Sequence, residues 1–221
     1  MNAVAFDISA ACAGFIFAMN IVEGFFKAGI YKTALIIGAD TLSKVTDWSD
    51  RGTCVLFGDG AGAAVLKAEE TGIIDMMMGA DGTKGDALAC TSRTVGNFLT
   101  GTKPELGFMT MDGQEVFKFA VRKVPESVME LLQRTGTKKE DIKYYVLHQA
   151  NERIIEAAAR RLKEPMEKFP MTIGQFGNTS TASIPLLLDD MIQKDMLKRG
   201  DKIIMSGFGA GMTWGAVLME W

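Results

Sequence analysis

Short apolar runs alternate along this chain with Gly-rich or polar breaks, a rhythm that mixes strands with helices. The first run, Val4-Ala5-Phe6-Asp7-Ile8, predicts a strand lying inside a sheet with neighbours on both edges. Small residues follow, Ser9-Ala10-Ala11-Cys12-Ala13-Gly14, and then residues 15–28 are apolar on nearly every side. That pattern predicts a helix buried on most faces, with Gly29 as its stop. Residues 33–39 read as a buried strand and 40–52 as a polar loop or short helix. Residues 54–57 (CVLF) read as a short core run, which would bury Cys54. A Gly-rich turn at 58–62 leads into a strand at 63–68. Strand, buried helix, strand, loop, strand points to layered α/β architecture.

A second block repeats that outline. Residues 72–79 predict a strand, and 80–106 an irregular surface segment holding Cys90. Asp112 is placed to cap a helix running to about Arg134, which Gly136 would close. Pro125 inside that span predicts a kink or a division into two helices. Residues 141–147 end in a strand; His148-Gln149-Ala150-Asn151 follow, then a helix from Glu152 to about Lys163. A loop at 172–181 leads into a helix at 182–196. The chain closes with a strand at 202–205, a turn at 207–211 and a strand at 214–221. Each block has buried strands, a helix launched from a strand end and a closing hairpin.

Composition narrows the classes. With 221 residues, 48% of them hydrophobic and 23% charged, the chain can bury one large core or two smaller shared ones. A net charge of -3 argues against nucleic acid as the main partner. No apolar run reaches the roughly 18 residues of a membrane span without a charge or Gly. Met1-Asn2 opens directly into the first run, with no signal peptide in view. Three cysteines without a CxxC pair fit a reducing cytoplasm and form no zinc site.

Five features could carry chemistry. Cys12 stands at the turn from strand to helix, where small residues allow a sharp elbow and the helix dipole favours a thiolate. The plainer reading is a buried structural Cys. His148, the one histidine, stands just past a buried strand, where α/β folds place ligand-binding groups; a lone His can equally be structural. Asn178, in FGNTSTAS, heads a helix and could serve only as a cap or turn residue. The GFGAG at 207–211 opens into a strand, so it reads as a hairpin turn whose N–H groups could hold an anion, not as a dinucleotide loop. Arg153 and Arg160 share one helix face opposite Ile155, Ala158 and Leu162, which is also how an ordinary solvated face looks.

Taken in order, DISAACAGF, LHQAN, GNTSTASIP and GFGAGMTWG resemble the Cys, His, Asn and C-terminal Gly-loop motifs of the β-ketoacyl-acyl-carrier-protein synthase III family, and RGTCVLFGDGAGAAVL adds a fifth. The resemblance runs from the first residue to the last, and the family carries roughly a further third of a chain before this point. It implies a thiolase-like layered α/β/α/β/α fold with mixed five-stranded sheets. Residues 1–71 would be the remainder of an incomplete N-terminal half bearing the nucleophile elbow, and 72–221 the C-terminal half bearing His148 and Asn178.

The implied activity is a condensing acyltransferase of type II fatty acid synthesis. Cys12 would take an acyl group, acetyl first among candidates, from acyl-coenzyme A, and malonyl on acyl carrier protein would be the second substrate. His148 and Asn178 would hold the enolate, and the N–H groups of Cys12 and Ala210 the tetrahedral oxyanion. Arg51 matches an adenine contact, Asn151 a pantetheine contact, and Gly113, Phe117 and Phe208 line the substrate path. Arg153 matches a carrier-protein contact that Lys118, Arg122 and Arg160 could extend. No metal or other cofactor is implied beyond the coenzyme A thioester as substrate, and a cytoplasmic homodimer is expected. Residues 1–221 alone are expected to associate and to condense weakly. The alternatives are a starter enzyme of polyketide or hydroxymethylglutaryl type, a non-catalytic remnant, and a Cys–His hydrolase.

Overall fold

The computed structural model describes residues 3–90, 96–103 and 107–221. Helix α1 (Gly14–Lys27) precedes strands β1 (Thr33–Asp40), β2 (Gly60–Lys67) and β3 (Ile73–Ala80). Two short strands, β4 (Leu88–Cys90) and β5 (Met109–Met111), lead to the long helix α2 (Gly113–Thr135). Strand β6 (Ile142–Leu147), α3 (Glu152–Leu162), the one-turn α4 (Ile173–Phe176) and α5 (Ser183–Gln193) follow, and the hairpin β7 (Lys202–Gly209) and β8 (Thr213–Glu220) closes the chain.

The order β3-β8-β7-β6 makes a mixed sheet, antiparallel except for the parallel pair β6–β7. Alternate side chains along its strands serve two cores, as the period of a strand dictates. Tyr145, Leu147, Ile204, Ala216 and Leu218 pack with α2 and α3, while Val146, Ile203, Met205 and Val217 pack with α1 and α5. Both faces being covered, the strands are apolar almost throughout. The antiparallel pair β1–β2 lies against the other side of α1 and α5. The layers are therefore α2/α3, the four-stranded sheet, α1/α5 and the two-stranded sheet. The outer face of that last sheet is bare, with Leu35, Ile37 and Val65 exposed.

Cap chemistry sets α2. The Asp112 carboxylate accepts from the amides of Gln114 and Glu115 at 3.0 and 3.1 Å, and Gly136 closes the helix at φ 66°. Of the two alternatives expected at Pro125, the division into two helices does not occur: the helix runs unbroken through 23 residues. A proline leaves the carbonyl four residues earlier without its intrahelical donor. Here that carbonyl, Val121 O, accepts from Arg161 Nη1 of α3 at 3.3 Å.

Other expectations change. Residues 4–8 form no strand, and Val4, Phe6 and Ile8 are 69%, 59% and 38% exposed. A strand exists through its ladder, and no described segment runs alongside this one. Residues 54–57 form a turn in which Val55 is exposed and Cys54 half-buried, so CVLF is not a core run. Helix α1 and strand β1 each bury one side only, Phe15, Ile16 and Met19 on the helix and Ile36 on the strand. Among the described residues the sheets hold four and two strands, with a further pair in β4–β5, where five each were expected. Strand β4 interrupts the stretch 80–106 expected to be irregular, of which 91–95 and 104–106 lie outside the described residues. No described helix is long and apolar enough to cross a membrane.

Candidate active site

The small residues before α1 make a tight corner. Ala11 takes the left-handed conformation at φ 46°, residues Ala11–Ala13 form a single 3-10 turn, and Ala13 N donates to Ala10 O at 3.1 Å. Two distant threonines hold the corner's carbonyls. Thr181 Oγ1 donates to Ala11 O at 2.8 Å and Thr213 Oγ1 to Ala10 O at 3.2 Å. Cys12 lies buried in the turn, seated on Gly209 at the end of β7.

Burial pushes the Cys12 thiol up to about 11; the Asp40 carboxylate adds to this, while hydrogen bonds from Ser180 and from its own amide pull the other way. The activation expected from the elbow and the helix dipole is thus opposed by burial. Removing a charge from water costs more than one helix terminus returns. Asp40 is itself engaged, its Oδ2 accepting from Thr181 N at 3.0 Å.

Asn178 is buried in the loop before α5, and its Oδ1 accepts from Ser180 N at 2.9 Å. The turn use anticipated for it is therefore real, and it leaves the Nδ2 protons for another partner. Its backbone pairs with the 56–58 segment, through Asn178 N to Leu56 O and Gly58 N to Asn178 O, both 2.9 Å. His148 follows β6, with its amide donating to Ser206 O of β7 at 2.8 Å. Its Nδ1 lies 2.6 Å from Ser183 Oγ, and Phe208 packs edge-on at 5.5 Å between ring centroids. Burial holds the imidazole down at about 3, so it is neutral near pH 7.

One short segment, 178–183, thus ties the three candidates together. Ser180 N bonds the side chain of Asn178, Thr181 bonds the elbow that carries Cys12, and Ser183 bonds His148. Ala210 follows directly on Gly209, beside the Cys12 amide. The other candidates stand differently. Asn151 caps α3, its Oδ1 accepting from Arg153 N at 2.9 Å, and Arg153 is exposed on the first turn of that helix. Arg51 is exposed on the turn that leads to Leu56. Gly113 and Phe117 lie on the exposed side of α2's first turns. Lys118 and Arg160 are engaged with Glu115 and Glu156. Among the described residues, no group of three or more His, Cys, Asp or Glu side chains could hold a metal ion.

The hydroxyls of Ser180, Thr181, Ser183 and Thr213 were missed from sequence. For the first three the dense run in GNTSTAS was the one signal, and it reads equally as helix-capping chemistry; Thr213 had none. Chemically, a buried thiol, a neutral imidazole and an amide suit covalent acyl chemistry with hydrogen-bond donors for a developing oxyanion.

Residues 6–82 match the family described as 3-oxoacyl-[acyl-carrier-protein (ACP)] synthase III, and 132–221 its C-terminal part. The chain is 52% identical over 222 residues to a beta-ketoacyl-[acyl-carrier-protein] synthase III of Clostridium novyi, covering all of this chain and 68% of the relative. Its fold is similar to the crystal structure of 3-oxoacyl-[acyl-carrier-protein] synthase III from Aquifex aeolicus, with a TM-score of 0.89 and 44% identity over 98% of this chain and 67% of that one. A priming β-ketosynthase from a polyketide biosynthetic pathway is more distant, at 34% identity and a TM-score of 0.88 over 97% of this chain and 65% of that one.

Proposed function

The chain belongs to the 3-oxoacyl-[acyl-carrier-protein] synthase III family, the condensing enzymes of type II fatty acid synthesis, and on that premise we propose that Cys12, His148 and Asn178 are its catalytic residues. The acyl group, acetyl first among candidates, comes from acyl-coenzyme A. The Cys12 sulfur forms a bond to the thioester carbonyl carbon, the carbon–sulfur bond to coenzyme A breaks, and the thiol proton leaves with the coenzyme. Malonyl on acyl carrier protein then loses carbon dioxide. His148 Nε2 and Asn178 Nδ2 hold the enolate oxygen, a role for which a neutral imidazole is suited. The carbanion attacks the Cys12 thioester, and the amides of Cys12 and Ala210 hold the tetrahedral oxyanion until the Cys12 sulfur departs.

Around this centre Arg51 meets the adenine, Asn151 the pantetheine arm, Gly113, Phe117 and Phe208 line the path, and Arg153 meets the acidic carrier protein. The reaction needs no metal or organic cofactor beyond its thioester substrates. The protein works in the cytoplasm as a homodimer. The observation that carries the reading is the 178–183 segment, which bonds the elbow of Cys12, the imidazole and the amide-bearing loop at once. The more distant likeness to a polyketide priming enzyme supports a second reading, in which the same site loads a different starter.

Separating the half-reactions tests this. His148→Ala and Asn178→Ala are each expected to acquire an acyl group at Cys12 yet to lose about 10²- to 10³-fold in condensation. A wild-type acyl-enzyme that hydrolyses quickly and ignores malonyl-carrier protein would instead mark a hydrolase.

A further inference from the structure

Ser183 opens α5 and is almost fully buried. Its hydroxyl oxygen has two partners among the described residues. One is the amide of Gln149 at 3.3 Å, which can only donate. The other is His148 Nδ1 at 2.6 Å, which can donate or accept according to where the imidazole proton sits. A serine hydroxyl carries one proton. Were Nδ1 protonated, Oγ would accept twice, and its own proton would be buried with no acceptor. Buried polar groups in folded proteins rarely end so. With the hydroxyl donating to Nδ1, the Gln149 amide, the Ser183 hydroxyl and Nδ1 are all satisfied, and the imidazole proton falls to Nε2.

The surroundings leave the ring little choice. His148 N is tied to Ser206 O, and Phe208 stands edge-on to the ring. Gln149 next door is fastened twice: its Nε2 donates to Leu147 O at 2.8 Å and its Oε1 accepts from Thr172 N at 2.9 Å. We propose that Ser183 is a positioning residue of the condensation step: its hydroxyl donates to His148 Nδ1 and so fixes the proton on Nε2, where a developing enolate can use it. The inference rests on the reading of His148 as a donor to the reacting group.

The chain has a single histidine, so its imidazole nitrogens give one unambiguous set of signals in a histidine-¹⁵N-labelled sample of the full chain. The expected spectrum at neutral pH shows a pyridine-type Nδ1 and a protonated Nε2. A protonated Nδ1 in the wild-type protein overturns the proposal. Ser183→Ala is expected to mix the two tautomers and to lower condensation about 10- to 100-fold, as loss of a group that orients a reacting imidazole commonly does. Acylation of Cys12 should stay near the wild-type rate, and Ser183→Thr, which keeps the hydroxyl, should restore condensation. A Ser183→Ala protein with an unchanged tautomer and unchanged condensation overturns the proposal, as does an equal loss in both half-reactions. A wild-type protein with the proton on Nε2 but no condensation would sink the proposed function and with it the condensation role of Ser183, leaving only the Ser183–His148 hydrogen bond.

Discussion

A methyl group placed on Gly209 would lie 2.6 Å from the backbone nitrogen of Cys12 and 3.0 Å from its Cβ. Both are atoms of the elbow itself, so no flexible side chain can swing aside. Gly209→Ala is therefore expected to shift the nucleophile, and a displacement of about 1 Å can cost about 10²-fold in rate. Gly174→Ala, where an added methyl meets nothing within 4 Å, serves as the control and should acylate normally. Equal acylation rates in the two variants would refute the steric argument.

On the proposed chemistry Cys12 reacts as its thiolate, and burial pushes its thiol up to about 11. Below that value the thiolate fraction grows about tenfold per pH unit. Acyl transfer from acyl-coenzyme A in the absence of malonyl-carrier protein should therefore keep rising from about pH 7 towards 11, until the protein itself unfolds. Mass spectrometry should place the acyl group on Cys12 alone, and Cys12→Ala should take up none. A rate that levels off near neutrality would mean that the bound substrate or the helix terminus lowers the thiol after all.

Arg153 is exposed on the first turn of α3, away from Ile155, Ala158 and Leu162, which face the core. Arg153→Glu should change stability by less than about 0.5 kcal/mol. Its effect belongs to the encounter with an acidic partner: kcat/KM for malonyl-carrier protein should fall on the order of tenfold at low salt. A small malonyl thioester should be used as before. Equal losses with both substrates would move Arg153 from the docking surface into the site.

Pro125 and Arg161 should be energetically coupled through Val121 O. Alone, Arg161→Ala should destabilise the chain by about 1 kcal/mol or less, because the arginine is half exposed and water can take its place. In a Pro125→Ala background, where the restored amide can serve that carbonyl, the same change should cost close to nothing. Chemical denaturation of the four proteins measures the difference.

What could be read from sequence was what is decided locally. Asp112 and Gly136 bracket α2 because caps are made by residues within one turn of the helix end. His148 could be placed beyond β6 because a strand end is where the apolar run stops. Residues 4–8 could not be read, because their pattern suits a strand but a strand needs a neighbour. Ser183 could not either: its partner lies 35 positions away, and nothing within the GNTSTAS run says that one of its hydroxyls faces an imidazole. The rise in the Cys12 value likewise comes from layers that close over it, not from the residues beside it.

The corner that carries Cys12 is fastened by Thr181, 170 positions further on, and by Thr213, 203 positions from its partner Ala10. The proposed nucleophile therefore leaves a ribosome well before the residues that set it in place. Contacts so distant in sequence form late, after most of the chain entropy has been lost. A half-made chain has the thiol but no elbow, no Ser180 and no Gly209 beneath it. Readiness of the elbow for the proposed acyl transfer is therefore gained only once the closing hairpin has been made and docked.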